Sequence, residues 1–389
     1  MEVKEKEVSE NFISENNSNV VKKSNKKDVS IELIRLLACL IVIATHMTLT
    51  TYNEIQVDWS RLFTKSFLAD GVAIFFLITG FFIANGRSYK KVIINTIKKV
   101  LIPSFFVLII AEAFSSFLTN KDSFMNCIRN FGINNIKTIQ TSIIHGEVHK
   151  TIPTAAHLWY IYSYIQLIII FPLLRILCKE EKENKLARRI LIILSVLSIT
   201  INDIQKLFVI PSIGKIEIFS IIDAKVLFVL LGYELYILKD KLKGNKLCTV
   251  LGICAFVIVN LIRYKSESMY MIKNNLIEEA AFISWDTIFG IISALGVFVA
   301  IYSLEIKNTF LNNIILYLGS MTFGIYLIHF LIIAKIDIFK FEKITAFWKE
   351  IVYMFLGTIG IFVLSLIIVF TIKSVIKSLE VTIKRLKSS

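Results

Sequence analysis

Residues 31–51 read IELIRLLACLIVIATHMTLTT, and this stretch decides the fold class. With a helical rise of about 1.5 Å per residue, a helix over these residues can cross the hydrocarbon core of a bilayer, which is about 30 Å thick. The stretch also contains an acid, an arginine and a histidine, namely Glu32, Arg35 and His46. Charged groups are costly inside a membrane, so each of them predicts a functional role with a partner.

The composition of the whole chain points the same way. Of its 389 residues, 55% are hydrophobic and only 19% are charged, and the mean hydropathy is +0.68. Helices of a soluble protein need a polar face, so this composition excludes a soluble globular protein. The net charge of +14 is typical of the cytoplasmic lysines and arginines of a membrane protein, and we expect no nucleic-acid partner. The cysteine and histidine spacings match no zinc site, so we expect no metal and no permanently bound cofactor.

Long apolar segments recur along the chain and predict an all-α polytopic membrane protein, a bundle of about ten transmembrane helices. The predicted segments are 31–51, 66–86, 97–118, 155–178, 189–207, 220–238, 246–264, 284–304, 314–334 and 350–373. Lysine and arginine are more frequent in the connections that lie on the side of the N-terminus, which predicts that both termini are cytoplasmic. The predicted location is therefore the cell membrane, as a multi-pass protein in contact with the lipid bilayer.

Three regions follow from this pattern. Residues 1–29 are polar and lack an apolar core, so they are predicted to form a flexible cytoplasmic tail. Residues 30–375 form the predicted transmembrane domain, and 376–389 form a basic cytoplasmic C-terminal tail. The sequence does not predict the oligomeric state.

The polar residues of the first segment share one face of its helix. Glu32 and Arg35 are three residues apart and can pair. Arg35 and His46 are eleven residues apart, which is close to three full turns and separates them by roughly 16 Å along the helix axis. Interfacial snorkelling of Glu32 and Arg35, with His46 as a histidine satisfied within the bundle, remains the alternative.

Other segments add polar and aromatic residues at a similar depth. His329 lies as far from the start of segment 314–334 as His46 lies from the start of its own, so the two histidines are expected at similar depth. His157, Trp159 and Tyr160 are expected near the outer boundary, where an aromatic belt is the alternative for the tryptophan.

Three further sites carry candidate residues. Glu112, in the middle of segment 97–118, needs a partner such as a histidine or a lysine. Arg87, Lys90 and Lys91 form a basic cluster that fits either the positive-inside pattern or a phosphate-binding site. The outer loop 119–154 contains His145, Glu147 and His149, which either select an acceptor or lie in solvent.

The chain resembles acyltransferase family 3, integral-membrane enzymes that acylate cell-surface glycans. The resemblance rests on four motifs, which occur in family order and span most of the chain. They are IELIRLLACLIVIATH, GVAIFFLITGFFI, HLWYIY and GIYLIHFLII.

This resemblance implies a membrane O-acyltransferase that moves an acyl group, acetyl first, from cytoplasmic acyl-CoA to a hydroxyl of an extracytoplasmic glycan. His46 is then the catalytic histidine, Arg35 helps to place the acyl-CoA donor, and Glu32 belongs to the catalytic set with them. Lys90 stands where relatives carry arginine, and it cannot form the bidentate contact of a guanidinium. The implied residues are Arg87, Lys90 and Lys91 for the donor phosphates, and His157, Trp159, Tyr160, His329 and Glu112 for the substrate.

Two other functions are compatible with the sequence. A transporter of a small solute such as serine could use Glu112, His46 and Asp203 as a polar relay, and the membrane part of vancomycin-resistance serine racemases belongs to the same family. The sequence shows no inverted repeat of the kind found in many transporters. A non-catalytic membrane scaffold would instead tolerate neutral replacements of His46, Arg35 and Glu112.

Overall fold

The described part of the chain is helical. In the computed structural model it comprises residues 28–48, 57–84, 88–107, 109–110, 157–208, 222–279, 281–335 and 347–388, and within these ranges there is no β-strand. The helices are α1 (Val29–Met47), α2 (Trp59–Leu68), α3 (Gly71–Phe81), α4 (Tyr89–Thr96, continued by a π-helical turn, Ile97–Leu101), α5 (Trp159–Ile169), α6 (Phe171–Leu177), α7 (Lys182–Phe208), α8 (Ala224–Leu242), α9 (Lys246–Lys273), α10 (Ile288–Tyr302), α11 (Thr309–Gly319), α12 (Thr322–Lys335) and α13 (Phe347–Ser388).

Several of these helices are long and apolar enough to cross a membrane. Within the described ranges there are five such spans: α1, α2 together with α3, α7, α9 and α13. The bent pairs α5–α6 and α11–α12 raise the number to seven. Each of the ten predicted segments overlaps a helix of the structure, whereas the count of ten crossings and the sides of the termini remain predictions.

Helix α1 lies at the centre of the bundle. It packs against α3, α10, α11, α12 and α13. Its side chains Ile34, Ala38, Cys39 and Ile43 have no exposed surface. The helix begins at Asp28, whose carboxylate accepts a hydrogen bond from the Ser30 amide at 2.9 Å. The helix that carries Glu32, Arg35 and His46 is therefore held by neighbours on several sides.

Helices α3 and α8 approach each other closely through two glycines. A Cβ atom at Gly80 would overlap the backbone carbonyl of Val229, and one at Gly232 would overlap that of Leu77. Small residues at a helix crossing let the two backbones meet, as is common in membrane bundles. This contact fixes α3 against α8 on one side of the central helix.

Three helices present apolar side chains to the outside of the bundle. Ile193 on α7 and Ile258 on α9 are each 57% exposed, and Phe355 on α13 is 64% exposed. Isolated exposed apolar residues are common on soluble proteins, but here they continue along whole helices. The surface is that of a protein embedded in lipid.

Two of the predicted crossings are bent rather than straight. The bend between α5 and α6 is 64° and falls just before Pro172, which lacks the amide hydrogen that a continuous helix needs. The bend between α11 and α12 is 58°. There the carbonyl of Ser320 accepts a hydrogen bond from the Lys373 ammonium of α13, at 2.9 Å.

The last helix extends past the predicted domain boundary. Helix α13 runs without interruption from Phe347 to Ser388, so residues 376–388 continue a helix that begins within the bundle. The predicted N-terminal tail, apart from its last two residues, lies outside the described residues.

Candidate active site

The polar face of α1 has the predicted ion pair. The guanidinium of Arg35 donates to the carboxylate of Glu32 at 2.6 Å. Glu32 is buried, while 29% of the Arg35 side chain remains exposed. Gly319, at the end of α11, makes room for this carboxylate, because a Cβ atom there would overlap it. The predicted pairing of Glu32 with Arg35 is confirmed.

Arg35 lines a cavity of about 210 Å³. We call it the Arg35 cavity. Its walls come from α1, α3, α5, α12 and the π-helical turn after α4. The polar side chains on its walls are Arg35, Thr79, Tyr160, Tyr164, Thr322 and Tyr326. A cation and several hydroxyl-bearing side chains therefore line one mostly apolar space, which suits a ligand with an extended chain.

The three histidines that the sequence singled out within helices come together in the structure. The ring centroids of His46 and His329 are 5.4 Å apart, and those of His157 and His329 are 5.0 Å apart. The ring of Phe330 lies beside them, 4.9 Å from His46 and 5.1 Å from His157. We call His46, His157 and His329 the three-histidine cluster. The expectation that His46 and His329 lie at similar depth is confirmed.

Backbone carbonyls of α12 hold two of these rings. A ring nitrogen of His329, Nδ1, donates to the carbonyl of Tyr326 at 2.7 Å. The Nε2 nitrogen of His157 donates to the carbonyl of Leu327 at 3.3 Å. Both histidines are buried. Their rings are thus fixed relative to α12, and α1 supplies His46 from the other side.

Tyr326 connects the Arg35 cavity with the three-histidine cluster. Its ring lines the cavity, and its ring centroid is 5.5 Å from that of His157 and 5.8 Å from that of His329. Its hydroxyl donates to the backbone carbonyl of His157. Tyr326 had no predicted role. Its position three residues before His329 nevertheless places both side chains on one face of a helix.

The aromatic residues predicted for the acceptor side separate in the structure. Tyr160 lines the Arg35 cavity, where its ring lies 5.8 Å from that of Tyr326. Trp159 stacks instead on Trp285, with ring centroids 6.1 Å apart. Within the HLWYIY motif, His157 belongs to the three-histidine cluster and Tyr160 lines the Arg35 cavity. Trp159 packs against the loop before α10.

The predicted phosphate site is only partly described. Lys90 and Lys91 are exposed in the first turn of α4, whose continuation brings Val100 to the wall of the Arg35 cavity. The remaining predicted residues lie outside the described part of the chain. They are Arg87, Glu112, His145, Glu147 and His149.

Asp203, which the transporter hypothesis used as part of a polar relay, has local partners. Its carboxylate accepts from the backbone amide of Ile288 at 2.8 Å and lies 3.4 Å from the ammonium of Lys206. It thus joins α7 to the start of α10. Within the described residues, no group of three or more His, Cys, Asp or Glu side chains has the arrangement of a metal site.

Comparison with known proteins identifies the family. The model of the acyltransferase domain of acyltransferase family 3 matches residues 28–370, which is most of the chain. No curated protein and no solved structure matches. The matched region starts just before α1 and contains the Arg35 cavity and the three-histidine cluster. The chain therefore belongs to acyltransferase family 3 and is a membrane acyltransferase.

Proposed function

We propose that this enzyme moves an acyl group, acetyl being the first to test, from cytoplasmic acyl-CoA to a hydroxyl of an extracytoplasmic cell-envelope glycan. The observation that carries the proposal is the position of Tyr326, which borders both the Arg35 cavity and the three-histidine cluster. A donor held in the cavity is one side chain away from the histidines. The proposal places the protein in the cell membrane with both termini in the cytoplasm.

His46 is the general base of the proposed reaction. It takes the proton of the acceptor hydroxyl while the hydroxyl oxygen bonds to the thioester carbonyl carbon. The carbon–sulfur bond then breaks, and the proton on His46 passes to the departing CoA thiolate. An imidazole suits both transfers, because its ordinary pKa allows it to accept and release a proton near neutral pH.

Arg35 holds the donor, and Glu32 holds Arg35. A guanidinium offers five N–H donors, of which the bond to Glu32 uses one, so others are available to the carbonyl or amide oxygens of the donor. The phosphates of CoA bind to the basic cluster of Arg87, Lys90 and Lys91. The exposure of Lys90 and Lys91 and the path of their helix toward the cavity support this assignment.

His157 and His329 bind the acceptor beside His46, together with the aromatic residues of the same region. Their burial and their fixed rings favour a precisely held ligand rather than an open surface. The proposed acceptor is a hydroxyl group on a cell-envelope glycan or on a small molecule that stands in for one, and the resemblance to glycan-acylating enzymes supports this choice. The roles of Trp159 and Glu112 remain predictions.

Replacement of the proposed base tests the function directly. Purified full-length protein is incubated with acetyl-CoA and deacetylated envelope polysaccharide, and free CoA is measured with a thiol reagent. We expect His46→Ala to lower the rate by a factor of roughly 10² or more, which is the usual effect of losing a general base. The matched control is Cys254→Ser, at an exposed position on α9, which should leave the rate unchanged.

Two results would count against the proposal. Transfer that persists in His46→Ala would show that another group acts as the base. Uptake of labelled serine into vesicles without consumption of acetyl-CoA would favour transport instead. Mass spectrometry of envelope glycans from a deletion strain provides the cellular test, since the strain should lack ester-linked acyl groups on one glycan.

A further inference from the structure

In His157 and in His329, a hydrogen bond shows that one of the two ring nitrogens carries a proton. A backbone carbonyl can only accept a hydrogen bond, so the nitrogen that contacts it must carry a proton. Nδ1 of His329 is therefore N–H, because it contacts the carbonyl of Tyr326. Nε2 of His157 is N–H in the same way, because it contacts the carbonyl of Leu327. In a neutral ring, the second nitrogen of each histidine then carries only a lone pair.

Those two remaining nitrogens are buried, and among the described residues they lack a hydrogen-bond partner. Nε2 of His329 and Nδ1 of His157 have no hydrogen bond to any group of the described chain. The two residues are 0% and 2% exposed, so neither nitrogen is open to bulk water. A buried acceptor that stays unsatisfied destabilises the folded protein. Two such acceptors on neighbouring rings point to a ligand that donates hydrogen bonds.

The proton of the reacting hydroxyl cannot both pass to His46 and form a hydrogen bond to His157 or His329. A hydroxyl has one proton, and in the proposed reaction that proton goes to His46. At least one of the two lone pairs, on His157 or on His329, therefore calls for another donor on the same acceptor molecule, close to the reacting group. The ring centroids lie only 5.0 and 5.4 Å apart, so this second donor must be near the first.

We propose that the acceptor is a neighbouring-hydroxyl compound, with a second hydroxyl adjacent to the one that is acylated, and that this second hydroxyl donates its one proton to the lone pair of His157 or of His329. This inference rests on the proposed function and narrows its substrate class. The ring of Phe330, which lies against both His46 and His157, provides an apolar surface for the carbon skeleton that joins the two hydroxyls. A sugar ring with adjacent hydroxyls has this combination of an apolar face and paired donors.

Three soluble alcohols test the inference on the full-length protein with acetyl-CoA. The probes are cis-cyclohexane-1,2-diol, its mono-O-methyl ether and cyclohexanol, and the readout is CoA release as kcat/KM. The ether keeps the size of the diol but replaces the second donor with an acceptor. Sites built to bind a hydroxyl discriminate strongly against analogues that lack it, and we expect the diol to be preferred at least about tenfold.

Substitutions of the two histidines distinguish a loss of binding to the second hydroxyl from a general loss of folding. His329→Leu and His157→Leu each remove one lone pair, and the variant that removes the acceptor of the second hydroxyl should reduce the diol preference to a ratio near one. His329→Gln and His157→Asn place an amide oxygen near the former Nε2 and Nδ1, and they should retain most of the preference. The KM for acetyl-CoA and the elution profile in size-exclusion chromatography report on folding and are expected to stay unchanged.

The outcomes distinguish the two proposals. Equal rates with the diol, the ether and cyclohexanol would overturn the inference while leaving acyl transfer intact. A diol preference that survives both leucine substitutions would also overturn it, because the discrimination would then arise elsewhere. Absence of CoA release with every alcohol would count against the proposed transfer itself.

Discussion

Among the described residues, the ion pair with Glu32 engages only one nitrogen of the Arg35 guanidinium. Only one of its nitrogens is engaged by the carboxylate at 2.6 Å, while the rest of the group borders the Arg35 cavity. Glu32 is itself buried, and one of its two carboxylate oxygens has no hydrogen-bond partner within the described chain. The pair therefore leaves a cation at the wall of the Arg35 cavity rather than neutralising it fully.

Arg35→Lys tests whether this cation binds the donor. Lysine keeps the charge but loses the planar set of donors, so we expect the KM for acetyl-CoA to rise about tenfold, a loss of about 1.4 kcal/mol. The change in kcat should be smaller, because the group that removes the proton is unaltered. Steady-state kinetics with varied acetyl-CoA measure both quantities.

The matched control for this substitution is Arg189→Lys, at an exposed position on α7. It makes the same chemical change away from the cavity and should leave the KM unchanged. An unaltered KM in Arg35→Lys would show that Arg35 does not contact the donor. An equal rise in both variants would show that the effect is not specific to the Arg35 cavity.

At this scale the sequence predicts the geometry of a single helix well. The pairing of Glu32 with Arg35 follows from helical spacing alone. The similar depth of His46 and His329 follows from their equal distance to the starts of their segments. Tyr326 could not be assigned in the same way, because its role depends on which helices are neighbours. Its hydroxyl reaches the backbone of His157, 169 residues away along the chain.

Among the helices, the contact of α3 with α8 depends on having no side chain at two positions. Gly80 faces the carbonyl of Val229, and Gly232 faces that of Leu77, so each backbone lies against the other. Helix α3 also carries Thr79 and Phe75 to the wall of the Arg35 cavity. The glycines therefore help to set the width of the cavity.

Gly80→Ala should destabilise the protein. The added methyl group has no space, and overpacking of a tight contact typically costs about 1–3 kcal/mol. We expect a lower melting temperature in detergent and a reduced yield of monodisperse protein. Gly360→Ala on α13 is the control, since nothing lies within 4 Å of its Cβ position. Equal melting temperatures for the two variants would contradict the close approach of α3 and α8.

The bends within the pairs α5–α6 and α11–α12 cannot be predicted from the hydrophobicity of the sequence. Apolar residues continue through Ile170 and through Gly319, so both segments look like uninterrupted crossings. Pro172 is a local signal for the first bend. The second has no proline, and the contacts there come from distant residues, Glu32 against Gly319 and Lys373 on the carbonyl of Ser320. Tertiary contacts of this kind cannot be read from one segment.

For the whole molecule, the number of crossings depends on helices of intermediate length. Helix α10 has 15 residues, which corresponds to about 22 Å and is shorter than a hydrocarbon core of about 30 Å. Its neighbour α9 has 28 residues and is long enough on its own. The two pack along each other. If α10 crosses the membrane as predicted, residues before and after it lie on opposite sides.

Cysteine labelling decides this point and the orientation together. In a protein with all five native cysteines replaced, Asn274→Cys lies in the loop between α9 and α10, and Lys307→Cys lies beyond the end of α10. With cytoplasmic termini and ten crossings, a membrane-impermeant maleimide should label Asn274→Cys in intact cells. It should label Lys307→Cys, at an exposed position, only after permeabilisation. The reverse pattern would invert the predicted orientation, and labelling of both in intact cells would show that α10 does not cross.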